Sequence, residues 1–170
     1  VKKSDVEECA HSLGVKVIRS FHDFEGIPAD IFSKVHSLSS RGDVAKIAVT
    51  PHSIADIMTL FRVNEELKDT PKIIIGMGQW GVCTRILYKK MGSILAFGSN
   101  GGAVAPGMVS ARDLKLLYRA DRINDNTGIY GIVGNPVMHS LSPQIHNPGF
   151  HRINYNAVYV PFLSDSIRSF

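Results

Sequence analysis

The sequence predicts an α/β protein in which a parallel sheet is covered by helices. Apolar runs of strand length recur every 20 to 30 residues up to about position 120. Stretches with helical apolar spacing separate them, and no β-hairpin signal joins neighbouring runs. With 170 residues, 44% of them hydrophobic and 20% charged, the chain has enough apolar material for a sizeable core. The same composition excludes disordered, collagen-like and acidic-tail classes. A doubly wound sheet and part of a (β/α)8 barrel both fit this alternation, and periodicity does not choose between them.

Taken in order, Val6, Cys9, Ala10 and Leu13 fall at helical spacing, and Gly14 suits the position just past a helix end. Residues 15–21 are a short β-branched run. Pro28 suits a first helical turn, and Ile31, Phe32, Val35 and Leu38 form an apolar stripe up to Arg41-Gly42. Val44 to Val49 is a second apolar run. Ser53 with Asp56 predicts a capped start for a helix carrying Ile54, Ile57, Met58 and Phe61. Residues 71–77 predict a third strand, and Val82, Ile86 and Met91 mark a helix that Gly92 ends. Residues 94–100 predict a fourth strand, and Ser110 with Asp113 caps a helix carrying Leu114, Leu117 and Tyr118. Residues 121–128 are polar and turn-rich, so they predict a linker. A strand over 129–134, a helix opening at Ser142-Pro143 and a strand over 156–162 follow.

No run approaches the roughly 18 uninterrupted apolar residues of a membrane span. The first ten residues are charged and lack the apolar region of a signal peptide. The net charge is +4, with basic residues scattered rather than striped, which argues against a nucleic-acid surface. Cys9 and Cys83 have no Cys-x-x-Cys spacing and are expected to be reduced, buried thiols of an intracellular protein. The chain starts at Val1 and stops in Ser-Ile-Arg-Ser-Phe, as expected of a piece of something longer.

Two sets of residues carry candidate chemistry. Gly76, Gly78 and Gly81 form a Gly-x-Gly-x-x-Gly run after a strand and before a helix, the arrangement that brings backbone against a dinucleotide pyrophosphate. An acid is wanted about 20 residues on, yet none lies between Asp69 and Asp113, and a plain glycine-rich turn explains the run equally. The second set is His22, Lys46 and Arg85, which fall at or near the carboxyl side of consecutive strands, where α/β folds place active sites. A lysine inside an apolar strand must snorkel, pair, or lose charge through desolvation, and a neutral lysine is what Schiff-base chemistry with a ketone requires. The Arg85 fork suits a carboxylate. The plain alternatives are an outward-pointing lysine, a loop histidine and a solvated arginine.

Ser20-Phe21-His22-Asp23-Phe24, then Val44-Ala45-Lys46-Ile47-Ala48, then Met77 to Arg85, then Ala105-Pro106-Gly107 resemble type I 3-dehydroquinate dehydratase in order and spacing. The resemblance implies a (β/α)8 barrel of the shikimate pathway that needs no cofactor. Lys46 would form the imine with the substrate ketone, His22 would remove the neighbouring proton and help the hydroxyl leave, and Arg85 would hold the carboxylate. The run at Gly76 to Gly81 becomes a βα loop. The family's closing loop usually reads Ser-Ala-Pro-Gly-Gln, whereas Val104 and Met108 stand here in place of its two polar substrate contacts, which implies weaker or altered dehydratase activity.

Residues 134–143, with His146-Asn147 and Asn156 to Val160, resemble the start of shikimate dehydrogenase. Here Ser142 before Pro143 is expected to cap a helix, and the resemblance implies that Ser140 and Ser142 hold the shikimate carboxylate. Pro148 departs from the family and is expected to cut or kink the helix. The tandem resembles bifunctional dehydratase–dehydrogenases of plants and some bacteria. It implies an internal fragment: residues 1–122 as barrel strands five to eight, then residues 128–170 as the opening of the dehydrogenase substrate domain. NADP, the dehydrogenase cofactor, would bind outside this chain. No metal is expected, the partners would be 3-dehydroquinate and shikimate, and the location would be cytoplasm in a bacterium or plastid in a plant. Four strands leave open edges, so the chain alone is expected to be inactive and to self-associate. Two rivals remain: an NAD(P) oxidoreductase using Gly76, Gly78 and Gly81, or a non-catalytic binding module on the same scaffold. Lys46 is expected to be essential for turnover and Lys72, beside Pro71 at a strand's edge, to be dispensable.

Overall fold

The computed structural model describes residues 3–40, 43–101, 105–166 and 168. Three strands, β1 (Ile18–Asp23), β2 (Val44–Val49) and β3 (Lys72–Gly76), form a parallel sheet in that order. The helices α2 (Ile31–Ser39) and α3 (Ile54–Glu66) connect them, and α1 (Lys3–Ser12) precedes them. After β3 come α4 (Val82–Ile86), α5 (Ala111–Leu116) and a 3-10 turn at Ala120–Arg122. A second parallel pair, β4 (Gly128–Gly134) and β5 (Ala157–Leu163), is linked by α6 (Ser142–Arg152). The α/β class with parallel strands is therefore what the alternation predicts.

Local chemistry starts two helices where expected. The Ser53 hydroxyl accepts the Asp56 N–H at 3.1 Å while the Asp56 carboxylate accepts the His52 N–H at 2.8 Å. Ser110 caps α5 in the same way, accepting the Asp113 N–H at 2.9 Å. Caps of this kind contribute about 1 kcal/mol each.

Strand alternation gives the first sheet two unlike faces. Ala45, Ile47, Val49 and Ile74 point to the helices, where they pack with Ile31, Val35, Leu60 and Val63. Lys46 pairs with Ser20 and Ile73, and Ala48 with His22 and Ile75, so these six share the opposite face. On β1 that face is open, with Ile18, Ser20 and His22 exposed. A second core joins the two sheets: Ile54, Ile57, Val82, Ile86 and Leu114 pack with Val158 and Val160 of β5.

Several expectations are corrected. No strand forms over 94–98. Ser93 and Ile94 bridge to β3, where the Ile94 N–H reaches the Lys72 carbonyl at 2.9 Å, and pairing stops there. The backbone of Ser99 is taken instead by Val109 and Ala111, and Ile94 and Leu95 stay about half exposed, so the run turns away from β3. The first strand starts at Ile18 and includes His22 rather than ending before it. Lys72 does open β3 at the strand's N-terminal edge, but it is fully buried rather than peripheral: its Nζ donates to the Leu67 carbonyl at 2.6 Å. Cys9 is exposed and only Cys83 is buried.

In α6 the cap position falls on Leu141, one residue before Ser142, which is already helical. Pro148 lies inside that helix without ending it. The reason is tertiary: fully buried Asn147 donates to the Tyr159 carbonyl at 3.0 Å and accepts its N–H at 2.8 Å, tying this turn to β5. Two backbone bonds from a buried amide outweigh the one that proline removes.

Candidate active site

β2 is buried along its length except at Lys46, which is half-buried. Its ammonium stands 4.7 Å from the centroid of the Phe97 ring. Among the described residues no oxygen accepts a hydrogen bond from it, so an aromatic face is its one close polar partner. His22 shares that face on β1, two residues further toward the strand's carboxyl end, since Ser20 is the residue opposite Lys46. One strand across and two residues along is a diagonal of about 8 Å between Cα atoms, which two long side chains can span toward one ligand. The His22 ring is exposed, with the Phe24 ring 6.5 Å away.

Arg85 reaches the same neighbourhood through Phe97. It is 7% exposed on α4, and its Nη1 donates to the Phe97 carbonyl at 3.1 Å. Its Nε is buried with no hydrogen-bond partner among the described residues, and burial holds the guanidinium below its ordinary pKa. A buried donor without an acceptor costs about 1–3 kcal/mol, and an incoming carboxylate removes that cost. Phe97, which touches both Lys46 and Arg85, was missed by sequence reasoning because it sits in the run assigned to a fourth strand.

The glycine run is folded on itself. An added Cβ on Gly76 would stand 2.7 Å from the Gly81 Cα, and Gly78 needs its positive φ of 67°. The Gly76 N–H is spent on the Thr84 hydroxyl at 2.9 Å and that of Gly81 on the Gly78 carbonyl at 3.2 Å. Gly107 packs its backbone against Gly78 as well. The glycines are thus accounted for by close backbone packing and by internal bonds of Gly76 and Gly81, the plain glycine-rich turn. Cys83 beside them is no nucleophile, since burial pushes its thiol up to about 12.

Residues 2–125 match the family model for type I 3-dehydroquinase. The chain belongs to that family. Residues 132–170 match a second model, the shikimate dehydrogenase substrate binding domain. The chain is 39% identical over 160 residues to the bifunctional 3-dehydroquinate dehydratase/shikimate dehydrogenase of Arabidopsis thaliana, covering 91% of this chain and 26% of that protein. It is 40% identical over 119 residues to the 3-dehydroquinate dehydratase of Clostridium kluyveri, covering 66% of this chain and 46% of the relative. The chain thus spans between a quarter and a half of the curated relatives it matches. Among solved structures, the type I dehydratase of Clostridium difficile, bearing a covalently modified comenic acid, superposes with a TM-score of 0.61 at 33% identity over 68% of this chain and 50% of that one. The dehydroquinate dehydratase and shikimate dehydrogenase of S. pombe gives 0.53 over 98% of this chain and 33% of that one, at 24% identity, which speaks to fold alone.

In the portion that matches the second model, the Ser140 hydroxyl donates to that of Ser142 at 3.1 Å and accepts the Ser142 N–H at 3.2 Å. Both lie at the start of α6. Ser140 also lines a cleft of about 450 Å³ whose opposite wall includes Gln79 and Met108. Val104 lies outside the described residues. No helix among the described residues is long and apolar enough to cross a membrane, and no group of three metal-ligating side chains occurs among them.

Proposed function

We propose that this chain supplies the reacting groups for dehydration of 3-dehydroquinate to 3-dehydroshikimate, with β1, β2 and β3 acting as consecutive staves of a (β/α)8 barrel. The observation that carries this reading is that His22 and Lys46 stand on one face of adjacent parallel strands, His22 near the carboxyl end of β1 and Lys46 midway along β2. The Lys46 amine adds to the substrate ketone and, as water departs, leaves a protonated imine. His22 takes the proton from the adjacent carbon, whose electron pair moves into the imine to give an enamine. Collapse of the enamine expels the hydroxyl, to which His22 returns the proton, and hydrolysis frees the unsaturated ketone and the amine. Arg85 anchors the carboxylate, supported by its buried, partnerless Nε. Borohydride added with dehydroquinate to the natural full-length protein is expected to leave a stable adduct on Lys46. No adduct there, with turnover intact, rejects the imine route.

Residues 1–122 act as the dehydratase portion and 128–170 as the opening of a dehydrogenase substrate domain. Ser140 and Ser142 then hold the shikimate carboxylate, supported by their paired hydroxyls at a helix start. The cofactor of that second reaction, NADP, is held outside these residues. The isolated chain is expected to self-associate, because β1 and β3 are sheet edges and Ile18, Ile94, Leu95 and Phe97 are exposed beside them.

A further inference from the structure

We propose that the cavity where the linker meets the end of α6 binds a small doubly charged anion of the phosphate-ester class. The cavity holds about 280 Å³ and is lined by Arg119, Arg122 and His151, with Phe150, Asn154 and Tyr155 completing the wall. Arg122 ends the 3-10 turn, Arg119 immediately precedes it and the histidine comes from α6, so distant parts of the chain bring three basic side chains to one space. No carboxylate lines it. Asp121 on the same turn is felt by Tyr88, and Asp113 by Tyr118, but neither faces the cavity. The ion pairs recorded among the described residues are elsewhere, so neither guanidinium is neutralised by an acid.

The crowding is felt by the histidine. Burial holds His151 below its ordinary range, and the nearby charges of Arg119 and Arg122 lower it further. A bound dianion reverses that balance by adding the missing charge. Backbone conformation points to the same place. Arg119 (φ 46°) and Asn154 (φ 53°) are the non-glycine residues in the left-handed region among those described, and both line this cavity. Strain of this kind gathers where a binding surface is being shaped. Guanidinium forks match the oxygens of a phosphate, and the aromatic and amide wall leaves room for a short carbon skeleton. The cavity shares Tyr118 alone with the cleft at Ser140 and contains neither His22 nor Lys46, so this inference stands apart from the dehydratase reading.

The test uses the natural full-length protein, titrated calorimetrically with inorganic phosphate and with glycerol 3-phosphate against chloride at matched ionic strength. Saturable binding of both probes is expected, with a shift of the His151 ring resonances on addition of either. Arg122 is exposed, so Arg122→Glu leaves the fold intact by circular dichroism. It is expected to weaken binding about tenfold or more, with Arg122→Gln in between. Binding no stronger than chloride, or equal affinity in wild type and Arg122→Glu, overturns the site. Phosphate binding without glycerol 3-phosphate binding overturns the ester assignment.

Discussion

Lys72 lies 1% exposed on the helix-covered face of β3, while Lys46, one strand away on β2, is half-buried on the opposite face. Lys72 is satisfied: its Nζ donates to the Leu67 carbonyl at 2.6 Å and reaches that of Thr70 at 3.4 Å. It closes the loop after α3 and packs against Gly92, where an added Cβ would meet the Lys72 Nζ at 3.0 Å and its Cε at 3.1 Å. Lys46 has only an aromatic face and an open neighbour strand. The same residue type serves structure where its protons are spent on carbonyls, and stays available for chemistry where they are not.

The widest separation between the two lysines is expected in turnover. Lys46→Ala in the full-length protein abolishes the dehydration rate, read as loss of absorbance from the unsaturated product, while the melting temperature moves little. Full activity in that variant collapses the distinction. His22→Ala extends the test along the reactive face, with kcat falling by about 10²–10⁴-fold. Because His22 is exposed, urea midpoints of wild type and variant are expected to agree.

Lys72→Ala acts on the other side of the comparison. Removing a buried stem and orphaning its carbonyl partners is expected to cost about 2–4 kcal/mol in chemical denaturation. Activity per folded molecule stays unchanged, and an activity loss exceeding the folded fraction gives Lys72 a role in the site. The smallest effect is in pH. Burial lowers the Lys72 pKa, partly offset by Asp69. The unfolded chain then binds more protons than the folded one in the alkaline range, so stability rises as pH climbs through the folded Lys72 value. Wild type is therefore expected to gain on Lys72→Met toward alkaline pH, and a difference that is flat or reversed removes burial as the cause.

Much of the fold was legible in particular residues. Ser53 with Asp56 and Ser110 with Asp113 start helices as written, since a cap depends on a side chain and the backbone three residues on. The run 94–98 was not legible, because whether an apolar run pairs depends on which neighbours compete for its backbone, and Ser99 is held by Val109 and Ala111. The motif order singles out His22, Lys46 and Arg85 as candidates, but Phe97, which touches Lys46 and Arg85 in the fold, has no signal in sequence.

The sequence by itself determined the alternation of elements up to β3, the caps of α3 and α5 and the family, because each depends on residue type at short spacing or on motif order. Tertiary structure alone decided which lysine is buried. Lys46 and Lys72 both sit in apolar strands, and only the parallel register shows that they face opposite ways. It also decided that α6 continues through Pro148, since the compensating bonds come from Tyr159 on a strand twelve residues past Asn147. The same holds for the gathering of Arg119, Arg122 and His151 around one cavity. The physical reason is shared: burial, pairing and charge crowding are set by residues that become neighbours only after the chain has folded.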